Sequence, residues 1–185
     1  MREIRIKSIP CILKNSIADI FELHAGQSRG HDKNIPYAVH PILGSMMILE
    51  DSKGIPETKD RIFLQKCFLY HDVFEDTTKE PESISDEVRD FVLTYLTNKG
   101  GSKAEYEDLV DRTKDIPWEA FYIKSIDKYI NLINDNYFRN KSEEELKQYL
   151  SYLYFYYSTA MKKNEKLIDS FWMNQIANYL KERGL

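Results

Sequence analysis

The chain has 185 residues, 42% of them hydrophobic, and a formal net charge of -4. That length and balance suit one globular domain, residues 1–185, with a sizeable core. An acidic chain whose longest basic run is Lys162-Lys163 lacks the positive surface used in non-specific nucleic-acid binding, so no nucleic-acid partner is expected. No window approaches the ~20 consecutive apolar residues of a membrane span, and Lys14, Asn15 and Asp19 interrupt the first apolar stretch too early for a secretory segment. Cys11 and Cys67 lie far apart, which argues against a disulfide framework and for a reducing, cytoplasmic setting.

In chain order, nearly every segment reads as helix. Ile12 to Ala25 has apolar residues at helical spacing and stops at Gly26, a C-terminal cap. Gln27 to Tyr37 is polar and reads as a loop. Pro41 suits the first turn of a helix that continues through Leu43, Met46, Met47 and Leu49 until Gly54-Ile55-Pro56. A largely buried helix starts near Thr58 and runs through Phe68 and Tyr70 into His71-Asp72-Val73-Phe74-Glu75-Asp76.

Ser83 and Asp86 open a helix over Val88 to Leu96, closed by Lys99-Gly100-Gly101, and a short one spans Lys103 to Arg112. Pro117 introduces another from Trp118 to about Asn134. Ser142, followed by Glu143, Glu144 and Glu145, marks the start of a helix carrying Leu146, Leu150, Leu153 and Tyr157. A last helix covers Glu165 to Arg183. The pattern contains no convincing strand, and an all-α bundle is expected. The aromatic run Tyr152 to Tyr157 fits either core packing or the interface of a homo-oligomer.

The densest chemistry lies between His71 and Asp76. Residues four apart on a helix lie nearly above one another, so His71 aligns with Glu75 and Asp72 with Asp76. Four ionisable groups at the end of an apolar helix need compensation, since burying them unpaired costs several kcal/mol. A divalent cation is the simplest compensator.

The segments HAGQSR (24–29), PYAVHP (36–41), FLYHDVFEDT (68–77) and KSIDKYINL (124–132), in that order, resemble the HD superfamily of metal-dependent phosphohydrolases. More narrowly, they resemble its alarmone-hydrolase branch, the RelA/SpoT-type hydrolase domains and the small stand-alone alarmone hydrolases. The resemblance implies an HD-type helical bundle with one divalent ion held by His40, His71, Asp72 and Asp127. Two imidazoles and two carboxylates suit a borderline metal, with Fe²⁺, Co²⁺ and Zn²⁺ compatible by ligand type, and the resemblance favours Mn²⁺. Such a shell leaves positions open for water and a phosphate oxygen.

Similarity also gives Glu75 and Asp76 the role of general base or water-orienting pair; solvating a helix end is the alternative. It suggests that Asn131 and Arg29 contact a nucleotide substrate. Lys124 lies on the same helix side as Asp127 and Asn131, as a substrate contact or a support to the ligands. His24 matches a non-ligand histidine of the family, and His31 reads as a surface residue. The chain departs from the family at Gly30, where a second basic residue is usual, at Ser125-Ile126, and around Lys99 to Asp111.

The implied activity is release of 3′-pyrophosphate from guanosine tetra- or pentaphosphate (ppGpp, pppGpp). Two alternatives keep the same constellation: a phosphatase for another nucleotide, such as the 2′-phosphate of NADPH, and a nucleotide-binding module without turnover.

Overall fold

Apolar residues at helical spacing dominate the chain, and in the computed structural model they become helix almost throughout; the structure describes residues 11–29, 32–98, 100–134 and 141–185. Helix α1 (Cys11–Leu23) ends in a turn at Gly26, whose φ of 81° is the left-handed conformation that a glycine cap supplies. Helices α2 (Val39–Glu50) and α3 (Thr58–Tyr70) pack against each other. Next come α4 (Val73–Asp76), α5 (Asp86–Phe91) with a π-helical continuation at Val92–Leu96, and α6 (Gly101–Asp111). The long helices α7 (Trp118–Ile133) and α8 (Glu143–Lys163) pack along each other, and α9 (Phe171–Lys181) closes the bundle.

The expected all-α class holds, with three local corrections. First, the segment read as an unstructured loop contains a two-stranded antiparallel hairpin, β1 (Ser28–Arg29) and β2 (Asp32–Pro36), with an irregular register. Its strands are short and polar, so no alternating apolar signal marks them. Second, the helix carrying the His-Asp pair does not run through: α3 ends at Tyr70. In a continuous helix Asp72 N–H would bind the Phe68 carbonyl, but that oxygen takes the His71 ring nitrogen Nδ1 at 2.7 Å and the His71 N–H at 3.5 Å. Backbone angles at His71 and Asp72 stay in the helical region and Asp76 N–H still bonds Asp72 C=O at 2.9 Å, so Asp76 keeps its place one turn after Asp72.

Third, the last expected helix is two elements, a 3₁₀ turn at Glu165–Asp169 and then α9. Ser170 separates them because its hydroxyl caps α9, accepting from Met173 N–H at 3.0 Å. The same hydroxyl donates to buried Asp51 at 2.5 Å, and Asp51 also accepts from Tyr122 OH at 2.7 Å and Phe171 N–H at 3.1 Å. One carboxylate thereby joins the end of α2, the middle of the bundle and the start of α9. The expected start at Ser142 is a full capping box: Ser142 Oγ accepts from Glu145 N–H at 3.1 Å and Glu145 Oε2 accepts from Ser142 N–H at 2.8 Å.

Within the aromatic run, Tyr152, Leu153 and Tyr156 are buried while Tyr154 is exposed. Cys67 is a free, buried thiol; the side chain of Cys11 lies outside the described residues. No helix among the described residues is long and apolar enough to cross a membrane.

The α2–α3 crossing depends on Gly44. A Cβ there would lie 2.1 Å from Cε1 of the fully buried Phe68 ring, which packs in turn on His40 and His71 with centroids 5.8 and 4.6 Å away. Gly44→Ala is expected to destabilise the fold by ~1–3 kcal/mol through overpacking. Urea unfolding checks this, and an unchanged midpoint would show that the crossing relaxes freely.

Candidate metal and catalytic site

The site forms where α2, the α3–α4 junction and α7 meet. Pro41, early in α2, needs no intrahelical donor, and His40 beside it faces inward from the first turn. His71 and Asp72 sit at the interruption between α3 and α4, and Asp127 lies in the middle of α7. His40 Nε2 is 3.1 Å from Asp127 Oδ1 and 3.8 Å from Asp72 Oδ2. His71 Nε2 is 3.1 Å from Asp72 Oδ2 and 3.7 Å from Asp127 Oδ1. Ligand-type atoms of His40, His71 and Asp72 all lie within 4.8 Å of one another, close enough to hold a metal ion together.

The donor chemistry fits a cation. The Phe68 carbonyl can only accept, so His71 Nδ1 carries the proton and Nε2 presents a lone pair to the centre. Both Nε2 atoms are buried and neither makes a well-formed hydrogen bond. His40 differs in that its Nδ1 also lacks a hydrogen-bond partner, so no hydrogen bond among the described residues sets its tautomer. Burial lowers the His40 pKa. For His71, burial acts downward, but the Asp72 and Asp127 carboxylates outweigh it and the net direction is up. Asp127 is buried, which would raise its pKa, yet Lys128 and the two imidazoles hold it well below the usual carboxylate range; Asp72 is held down in the same way, chiefly by His71.

A cavity of about 260 Å³ opens over this group, lined in part by Arg29, Tyr37, Glu75, Asp76, Lys124 and Asn131. Burial raises the pKa of Glu75 and of Asp76, the latter with help from the Asp72 charge. Glu75 accepts from the Asn98 N–H at 2.5 Å, so one of its oxygens is engaged away from the centre. Asn131 donates to Asp127 Oδ1 at 3.1 Å and to Tyr149 OH at 2.7 Å, and accepts from the Arg29 guanidinium. Arg29 thus crosses from the hairpin to α7. Lys124, although it borders the cavity, donates to the Leu96 carbonyl at 2.6 Å and to Glu105 at 3.1 Å. All nine residues singled out in the sequence therefore converge on one region. His24 lies behind the cavity wall, bonded to Gln27, while His31 and Gly30 lie outside the described residues.

Four participants were not legible beforehand. Tyr37 donates to Asp72 Oδ2 at 2.5 Å, and burial, with the Asp72 charge, keeps its phenol protonated far above the usual range. Tyr149 orients Asn131, as described. Lys128 donates to Asp127 Oδ2 at 3.0 Å and pairs with Glu105 Oε1 at 3.3 Å. Glu105, buried on α6, also accepts from Tyr156 OH at 3.0 Å. Lys124 and Lys128 are four apart on a helix that is buried nearly all round, which requires a buried acid nearby but does not say which.

No family model matches the chain, and no curated protein matches it.

Glu105 is the counter-charge of two buried ammonium groups, and removing one partner of such a network leaves uncompensated charge. Glu105→Gln is expected to cost ~3–5 kcal/mol of stability near neutral pH. Burial acts upward on the Glu105 pKa, but Lys124 and Lys128 outweigh it and the net direction is down. Its contribution is therefore complete above the unfolded carboxyl value of about 4.3 and lost as pH falls through the lower folded value. Denaturant titrations across acidic pH should show that loss in the parent protein and not in Glu105→Gln; parallel curves would contradict it.

Proposed function

We propose that this protein is a divalent-metal-dependent phosphohydrolase that removes pyrophosphate from the 3′ position of guanosine tetra- or pentaphosphate. The observation that carries the reading is the pair of buried, unpartnered His40 and His71 Nε2 atoms facing the Asp72 and Asp127 carboxylates beneath an open cavity. The ordered motifs resembling alarmone hydrolases supply the substrate class.

His40, His71, Asp72 and Asp127 would hold the ion. Mn²⁺ is the metal that the resemblance favours. Bound there, a divalent ion neutralises phosphoryl charge and makes water a stronger acid. The chain's own groups do the rest. Asp76, one turn beyond Asp72 and lining the cavity, accepts the proton of the attacking water. The water oxygen forms the new P–O bond, the bond between phosphorus and the ribose 3′ oxygen breaks, and that oxygen takes up a proton from solvent to leave as the 3′-hydroxyl. Glu75, with one oxygen fixed by the Asn98 N–H, orients the water with the other. Tyr37 stays protonated and holds Asp72 in one orientation. Arg29, which lines the cavity from the hairpin side, meets the nucleotide together with Asn131, at the expense of their mutual bond.

Purified protein with Mn²⁺ should convert ppGpp to GDP and pyrophosphate, and chelation should stop it. Asp76→Asn should lower kcat by about 10²–10⁴-fold, the span of a lost general base, while Mn²⁺ affinity changes little. Intact ppGpp after incubation with the metal-loaded protein would refute the substrate assignment. Release of orthophosphate from NADPH in its place would move the same site to a phosphomonoester.

A further inference from the structure

Gln27 lies just after the α1 turn, in the segment leading to the hairpin, and touches none of the candidate metal ligands. Its side chain is nevertheless bonded at both ends. Its amide Nε2 donates to the backbone carbonyl of Asp76 at 3.0 Å, across 49 residues of sequence. Its Oε1 faces His24 Nδ1 at 2.6 Å. Since the amide nitrogen is committed to a carbonyl, Oε1 must accept and His24 Nδ1 must donate, which fixes both the amide orientation and the histidine tautomer. His24 is buried and packs on the Tyr37 ring with centroids 4.7 Å apart, so the donor that sets Gln27 is itself immobilised.

The main chain of Gln27 has a second task. Its carbonyl accepts from Tyr37 N–H at 3.0 Å, and Tyr37 places its hydroxyl 2.5 Å from Asp72 Oδ2. One residue therefore reaches both sides of the reaction centre, the Asp76 turn through its side chain and Asp72 through Tyr37. Asp76 needs such support because α4 is only four residues long and its last residue is Asp76. A single helical turn has little intrinsic stability, so its carbonyl acceptor must be held from outside.

The geometry points to Gln27, oriented by His24, as a positioning residue that fixes the Asp76 turn for proton transfer. This inference rests on the proposed hydrolase reading. His24 and Gln27 lie outside the cavity lining, from where they set the angle and distance of the Asp76 carboxylate without contacting substrate. A displacement of about 1 Å at a reacting group is worth up to about 10²-fold in rate. Loss of the tether should thus appear in turnover and not in binding.

Two substitutions separate this role from a general loss of structure. Gln27→Glu keeps an acceptor for His24 and the main-chain bond to Tyr37, but replaces the donor to the Asp76 carbonyl with an acceptor. Gln27→Met removes both side-chain bonds at similar length. Gln27 is partly exposed, so both proteins are expected to fold. Kinetics with Mn²⁺ and ppGpp should give a kcat lowered about 10-fold or more with KM within about 2-fold, and equilibrium Mn²⁺ affinity unchanged. Amide hydrogen exchange over residues 73–77 should accelerate in both variants, a readout that needs no activity.

Unchanged exchange in that turn, or a kcat equal to the parent's in either variant, would overturn the inference while leaving the hydrolase reading intact. A parent protein that exchanges as expected but hydrolyses nothing would instead overturn the hydrolase reading, and the catalytic part of the inference with it.

Discussion

The charge balance around Asp127 is the constraint on which the rest of the structure depends. An ionised carboxylate in the middle of a buried helix is tolerated only when both oxygens are fully answered. Oδ2 is met by Lys128, and Oδ1 receives the Asn131 amide. Each answer creates a new demand. Lys128 needs Glu105, Glu105 must also take Lys124 and Tyr156, and Lys124 spends a further donor on the carbonyl at the end of the π-helical turn. The network anchors α6, α7 and α8 to one another, so the packing of the bundle and the electrostatics of the site are one problem.

The face of that network turned toward α2 and α3 is incomplete in a specific way. His71 Nε2 arrives there with a lone pair, and neither imidazole Nε2 makes a well-formed hydrogen bond among the described residues. The buried Asp51 carboxylate, by comparison, accepts three hydrogen bonds. Buried nitrogen lone pairs beside carboxylates are stabilised by a cation. Tyr37 and Gln27 then tie the hairpin and the one-turn α4 to this centre, so that the mobile kinds of element, a short hairpin and a single turn, are held by long-range bonds.

Much of this was readable from the chain, for reasons that are local. Spacing along α7 places Lys124, Asp127 and Asn131 on one side, Ser142 with Glu145 carries its own capping geometry, and Gly26 ends α1 where a left-handed residue is needed. What was not readable arises from contacts distant in sequence. Tyr37 acquires its role from Asp72, 35 residues away, and Glu105 from Lys124 and Lys128 on another helix. The break at His71 was hidden because its cause is a side chain competing for a backbone carbonyl, which leaves no mark in hydrophobic periodicity. The division at Ser170 was hidden likewise, since its capping hydroxyl is recruited by Asp51, 119 residues earlier.

We propose that His40, His71, Asp72 and Asp127 together hold one divalent ion. Titration of the metal-free protein with Mn²⁺, followed by electron paramagnetic resonance of the free ion, measures it directly. One tight equivalent per chain is expected, abolished in His71→Ala, a variant whose fold is verified by its helical circular dichroism. Absence of tight binding in the parent, or an equivalent that survives His71→Ala at the same affinity, would contradict it.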